Sequence, residues 1–165
     1  MLETPEELAE LQRLLESSLA GSTAHLQSIV AERTLTAEQL AGVLTGMCTL
    51  SLATVTARGE PRISAVDGHF LHGRWIFGTA RTAAKARHLA SRPEASVSHL
   101  RGEDLGVFVH GRAEAIDLTA EPGLLDYLRQ FYGADAFDWT TEVVYYRLHP
   151  HFMTVYAPDL AKLKP

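Results

Sequence analysis

The residues best suited to chemistry on an anion are concentrated between Arg62 and Arg92. Arg81, Lys85, His88 and Arg92 fall at i, i+4, i+7 and i+11. That spacing places them on one face of a helix. The other face, Ala83, Ala86, Leu89 and Ala90, is small enough to pack close to a sheet. A polar turn, Gly78-Thr79-Ala80-Arg81-Thr82, leads into the helix. A helix N-terminus presents unpaired N–H groups and partial positive charge, which suits a phosphate. Thr79 and Thr82 add hydroxyl donors, and Arg81 and Lys85 add full charges. Upstream, Arg62, Ser64 and Val66 share one face of a strand, because strand side chains alternate. The pattern is that of a phosphate site, although a solvated helix face carries similar stripes.

Other reactive residue types form weaker patterns. Eight histidines are present, with His149 and His151 two apart and His69 and His72 flanking a turn. No carboxylate completes a zinc pattern around them, so no metal site is expected. Cys48 is the single cysteine. It cannot form an intramolecular disulfide and reads as a small buried hydrophobe. Ser64 lacks the G-x-S-x-G elbow of a hydrolase nucleophile. Phe137 and Trp139 precede the last strand and are expected to seal one end of the fold rather than cover a ligand. Tyr145 and Tyr146 read as ordinary strand residues.

These residues need a scaffold, and 165 residues with 46% hydrophobic and 21% charged content predict one globular domain. Wholesale disorder, collagen and coiled coil are excluded. No apolar run approaches the ~18 residues of a membrane helix, so no membrane partner is expected. The acidic opening MLETPEELAELQ resembles neither a secretory signal nor a transit peptide, and the expected compartment is the cytoplasm. The net charge of −5 is unevenly spread. Residues 1–47 hold two basic and seven acidic residues, residues 58–101 eight basic and three acidic, and residues 102–165 five basic and ten acidic. A basic centre between acidic flanks suits an anionic ligand, not a nucleic acid.

Helices come first along the chain. Thr4-Pro5-Glu6-Glu7 and Thr36-Ala37-Glu38-Gln39 are capping boxes, and Leu8, Leu11, Leu15 and Leu19 follow the first at helical spacing. A second short helix carries Leu26, Ile29 and Val30. From Cys48 the period changes. Strands are predicted at 49–56, 62–71, 74–79, 95–100, 105–117 and 143–156, with helices at 82–91 and 119–131. Pro150 inside the last strand predicts a bulge or an edge. Six strands joined mostly by tight turns predict an antiparallel six-stranded split β-barrel of α+β class. Residues 1–46 are predicted to form a helical extension packed on a barrel of residues 47–165.

Several segments then resemble one known group. They are residues 50–56 (LSLATVT), Gly59-x-Pro61-Arg62-x-Ser64-x-Val66, Phe77-Gly78-Thr79, Lys85-x-x-x-Leu89 with Arg92-Pro93, and Gly111-Arg112-Ala113-Glu114. In that order they are similar to the pyridoxamine 5′-phosphate oxidase-like superfamily of flavin-binding split barrels, which includes deazaflavin-dependent reductases of actinobacteria. The resemblance implies a homodimer with two flavin sites at its interface. It implies that the backbone of Arg62, Ile63, Ser64, Ala65 and Val66 runs along the flavin ring. Gly78, Thr79 and Lys85 would hold the phosphate, joined by Arg81 and Thr82 from the charge pattern. The paired Arg-Lys of the oxidases themselves reads Ala84-Lys85 here, with Arg81 as the nearest substitute. Their C-terminal Trp and Arg segment is replaced by His149 to Tyr156. The expectation is therefore FMN-dependent hydride transfer to or from a small organic substrate, other than oxidation of vitamin B6 phosphates. The deazaflavin coenzyme F-420 is the alternative, its acidic tail reaching Arg81, His88 and Arg92. A non-catalytic flavin- or haem-binding protein is a further one.

Overall fold

Three threonines start the chain's first three helices. Thr4 Oγ1 accepts the Glu7 N–H at 3.3 Å, and the Glu7 carboxylate accepts the Thr4 N–H at 2.8 Å. This box opens α1, Pro5–Ala20. Thr23 caps α2, Ala24–Val30, and Thr36 with Gln39 forms a second box on α3, Ala37–Val43. A computed structural model describes residues 2–133 and 142–163 of the chain. In it α1 buries Leu11 and Leu15, while Leu8 and Leu14 pack on the core's margin. Ser18 continues the buried stripe, and its Oγ accepts the Met153 N–H at 2.9 Å. Gln27 Nε2 donates to the carbonyls of Leu19, Ala20 and Ser22, tying α2 to the end of α1.

Six strands follow: β1 Met47–Val55, β2 Pro61–Leu71, β3 Arg74–Ala80, β4 Glu94–Arg101, β5 Leu105–Ile116 and β6 Val143–Tyr156. They close into an antiparallel barrel in the order β1-β2-β3-β6-β5-β4, with β4 pairing back onto β1. Alternating residues fill the interior, among them Leu50, Leu52, Trp75, Phe77, Val107, Leu148 and Met153, all 1% exposed or less. α4, Ala84–Ser91, follows β3 and buries Ala86 and Leu89. α5, Pro122–Tyr132, contacts outward-facing residues of β2 and β6 through His69 and Arg147. It begins three residues later than its sequence pattern predicts. The Asp117 carboxylate accepts both the N–H and the hydroxyl of Thr119, committing that segment to a turn. Likewise α4 starts at Ala84 rather than Thr82, since Ala83 N–H already closes a turn onto the Ala80 carbonyl.

The predicted irregularity at Pro150 is a bulge. Gly111 faces Pro150 while His110 faces Phe152, which leaves His151 as the extra residue of β6. A Cβ on Gly111 would collide with the His149 carbonyl oxygen, so the bulge requires glycine there.

The ladder between β2 and β3 covers only four residue pairs, from Gly68↔Phe77 to Leu71↔Arg74. On its other side β2 pairs with β1 from Pro61 to His69. β3 continues on β6 as far as Ala80. Residues 61–67 of β2 and 78–80 of β3 therefore diverge, and the barrel splits between them. Gly111→Ala is expected to destabilise the fold by about 1–3 kcal/mol, the usual cost of overpacking against unyielding backbone, measured by urea denaturation.

Candidate functional site

The split brings together most of the residues singled out in the sequence. On β2, Ile63 and Ala65 point outward, Ile63 being 76% exposed, while Ser64 and Val66 turn inward. The backbone edge of residues 61–67 toward β3 has no ladder partner. Such an edge offers alternating donors and acceptors to whatever lies against it. Gly78 stands at the opposite lip, where a Cβ would come within 2.9 Å of the Tyr145 ring. Thr79 is half-buried beside it, and the Arg81 N–H is held by the Glu142 carbonyl at 2.8 Å. Arg62 is committed elsewhere. Its guanidinium pairs with Glu60 at 2.8 Å and donates to the Pro61 carbonyl, at the tip of the β1–β2 turn.

The helix after this lip is capped differently from the first three. Its N-cap is Ala83, which has no side chain to offer, so the first-turn N–H groups keep their dipole undischarged by a hydroxyl. Lys85 lies half-buried in that first turn. The four-residue cationic stripe is corrected by the helix start. Arg81 and Thr82 stand on the turn before the helix, and Arg92 is its C-cap. His88 turns inward, its Nδ1 2.9 Å from Oγ1 of Thr54, a residue only 1% exposed. What remains at the N-terminus is compact: Arg81, Thr82 and Lys85 around an uncapped helix end.

Sequence reasoning missed the wall on the outer side of the split. Asp67, the first β2 residue beyond the ladder, exerts its field on the hydroxyls of Tyr132 and Tyr145. Burial is the larger cause, and together they push both phenols above their ordinary pKa. Beside Asp67 sits His69, 1% exposed, bracketed by Tyr127, Phe131 and Tyr132 of α5 at ring distances of 4.9–5.5 Å. Its Nδ1 lies 3.1 Å from the Tyr127 hydroxyl and its Nε2 2.8 Å from that of Tyr132. The available signal was the aromatic spacing i, i+4, i+5 on α5, opposite a lone histidine on a strand face.

Cys48 is buried, and burial raises its thiol pKa, as expected of a structural cysteine. Near it, the Arg101 guanidinium donates to the Val43 carbonyl and to His99 Nε2. His99 Nδ1 in turn lies 3.0 Å from the Thr49 carbonyl. That arrangement requires a neutral His99 protonated on Nδ1. His149 pairs with Glu114 at 2.6 Å. Among the described residues no three His, Cys, Asp or Glu side chains are grouped to hold a metal ion. No described helix is long and apolar enough to cross a membrane. Phe137 and Trp139 lie outside the described residues.

A six-stranded antiparallel barrel that splits between β2 and β3, with a helix N-terminus at the lip, defines the split-barrel class. The chain belongs to the pyridoxamine 5′-phosphate oxidase family, whose model matches residues 36–156. No curated protein matches the sequence. Solved structures share the fold. A conserved hypothetical protein of Mycobacterium tuberculosis, Rv2991, aligns at 20% identity and a TM-score of 0.66, over 82% of this chain and 92% of its own. An FAD-binding protein of Mesorhizobium loti aligns at 21% identity and 0.59, over 74% and 95%. The haem storage protein HutZ of Vibrio cholerae aligns at 20% identity and 0.56, over 66% and 84%.

Burial holds the pKa values of His69 and His99 below the ordinary imidazole value of 6.5. The unfolded chain therefore takes up protons that the folded chain refuses. Stability is complete above about pH 6.5 and falls as pH drops through the window below it. Thermal unfolding followed between about pH 7.5 and 5 should show a declining Tm, with a shallower decline in His99→Gln.

Proposed function

We propose that the chain is a homodimeric, cytoplasmic oxidoreductase that binds FMN in the split and passes a hydride to or from a small organic substrate. The observation that carries this reading is one juxtaposition. An unpaired strand edge lies beside an uncapped helix N-terminus bearing Lys85. A flat heterocycle with a hydrogen-bonding rim fits the edge, and a phosphate fits the helix end. When bound, FMN supplies the hydride chemistry. The chain's own contribution is placement. The backbone of Ser64, Ala65 and Val66 would hydrogen-bond the ring's polar rim, with Arg62 and Ile63 extending that strand. Lys85 and Arg81 would neutralise the phosphate and Thr79 and Thr82 would hydrogen-bond it, with Gly78 keeping the lip thin. No carboxylate or histidine need attack the substrate, since the cofactor holds the reactive atoms. The FAD-binding relative supports a flavin in this fold.

A second copy of the chain is part of the proposal because large apolar side chains stand exposed on the outer sheet face. Ile63 is 76% exposed, Leu100 57%, Met47 42% and Phe108 41%, on β2, β4, β1 and β5, which are neighbours in the barrel. Exposed apolar side chains on adjoining strands mark an association surface. Covering that face would also bring a second subunit over Ile63 and Ala65, at the ring site itself.

Titration of the cofactor-free protein with FMN, and in parallel with coenzyme F-420, tests the reading. FMN is expected to bind, and Lys85→Ala to weaken it by about 1.5–3 kcal/mol, the worth of a charged hydrogen bond. Preference for F-420 would move the reading to a deazaflavin reductase, and binding of neither would end it. Light scattering should give twice the 18.1 kDa chain mass. Ile63→Asp should return a monomer that has lost FMN affinity.

A further inference from the structure

Hydride transfer to an organic acceptor leaves a proton to be supplied, and withdrawing a hydride leaves one to be removed. Resting on the flavin reading above, we propose that Tyr132 gives and takes this proton, and that His69 positions and reloads it. The hydroxyl of Tyr132 lies 2.8 Å from His69 Nε2, and the Tyr127 hydroxyl 3.1 Å from Nδ1. These three groups form one hydrogen-bonded row across the outer face of β2. One end stands near Asp67, at the margin of the split. The other end opens into a cleft of ≈ 380 Å³ lined by Tyr127, Leu71, His72, Gln130 and Arg147. Water in that cleft can replenish Tyr127.

The groups around the row decide how it works. Asp67 of β2, Tyr145 of β6, Cys48 of β1 and the carbonyl of Gly46 act on it from the packed elements around it, while β3 sets the uncharged Ile76 opposite His69. Burial and Asp67 disfavour a phenolate at Tyr132, so its proton can leave only as another arrives. Burial likewise lowers the His69 pKa and so disfavours the charged ring. A neutral imidazole between two hydroxyls accepts one hydrogen bond and donates the other. With the proton on Nε2, the step balances. When bound, the reduced ring would supply a hydride to the acceptor, and the acceptor heteroatom that gains negative charge would take the Tyr132 hydroxyl proton. Tyr132 oxygen takes the Nε2 proton, Nδ1 takes the Tyr127 hydroxyl proton, and water restores Tyr127. The opposite half-reaction, which removes a proton from its substrate, runs the row backward and resets the tautomer. His69 is thus a positioning residue, and Tyr132 the group that meets the reacting molecule.

Two measurements test this. In cofactor-free protein labelled with ¹⁵N-histidine, the His69 ring signals should report a neutral imidazole whose shifts stay flat from about pH 8 to 5.5. Ordinary titration in that range would overturn the relay alone. Then FMN-loaded protein is reduced with dithionite and reoxidised by p-benzoquinone in H₂O and D₂O. Tyr132→Phe and Tyr127→Phe should each bind FMN within about threefold of the wild type. Each should slow reoxidation by about 10²-fold, the usual scale of general acid catalysis, and change the solvent isotope effect. Wild-type rates and isotope effects in either variant that folds and binds FMN would overturn the proposal. If the wild type fails to bind FMN or F-420, the cofactor reading has failed and the relay falls with it.

Discussion

Everything at the candidate site depends on two strands parting after four residue pairs. A strand edge left without a ladder partner must find other hydrogen bonds or solvent, because buried unpaired backbone is costly. Here β2 is held along its whole site-forming length by β1, and β3 by β6, so neither strand can relax toward the other. The gap is therefore maintained by pairing elsewhere in the barrel. Gly78 and Tyr145 show how closely it is fitted, the ring occupying the space a side chain at position 78 would need. The uncapped end of α4 follows from the same geometry, since β3 runs into the helix through a short turn at the lip.

The outer side of the gap is closed by α5, which is tied to the barrel at both ends. Near its start the Glu121 carboxylate accepts from both terminal guanidinium nitrogens of Arg147, and at its end the tyrosines hold His69. The first contact is a bidentate, partly buried ion pair, and its Arg–carboxylate geometry is the strong kind. The second is neutral and aromatic. The helix is thereby fixed in azimuth as well as position, which is what a side chain at its C-terminus needs if it is to act on a neighbour.

The barrel was legible in the sequence because its signals are local. The β-branched alternation of residues 49–56, the capping boxes at Thr4 and Thr36, and Pro150 in the last strand each act within a few residues. The basic centre likewise marked the Gly78–Lys85 lip. Errors arose where a local pattern competed with a tertiary contact. His88 has the spacing of a solvent-facing stripe, but buried Thr54 draws its ring inward. Arg81 has helical spacing from Lys85, but its N–H is taken by Glu142 on the far side of the lip. The aromatic spacing on α5 did not reveal the His69 cage, because its parts are 58 and 63 residues apart in sequence. Nothing in Tyr127 or Tyr132 alone signals a histidine on a distant strand. Neither does Asp67 signal the phenols it faces.

The seating of α1 has a consequence for how the chain is made. Ser18 binds the backbone of Met153, 135 residues later, and α1 packs chiefly on β6. β6 is also the strand that joins β3 to β5. During synthesis, then, α1 emerges with the part of its leucine stripe that meets β6 uncovered, and waits for the 135 residues that separate Ser18 from Met153. The first three strands can pair early, but the barrel cannot close until its last long strand leaves the ribosome. Assembly dominated by such distant contacts is slow and keeps apolar surface accessible meanwhile. Truncation anywhere before β6 should therefore yield an open, aggregation-prone sheet rather than a smaller barrel.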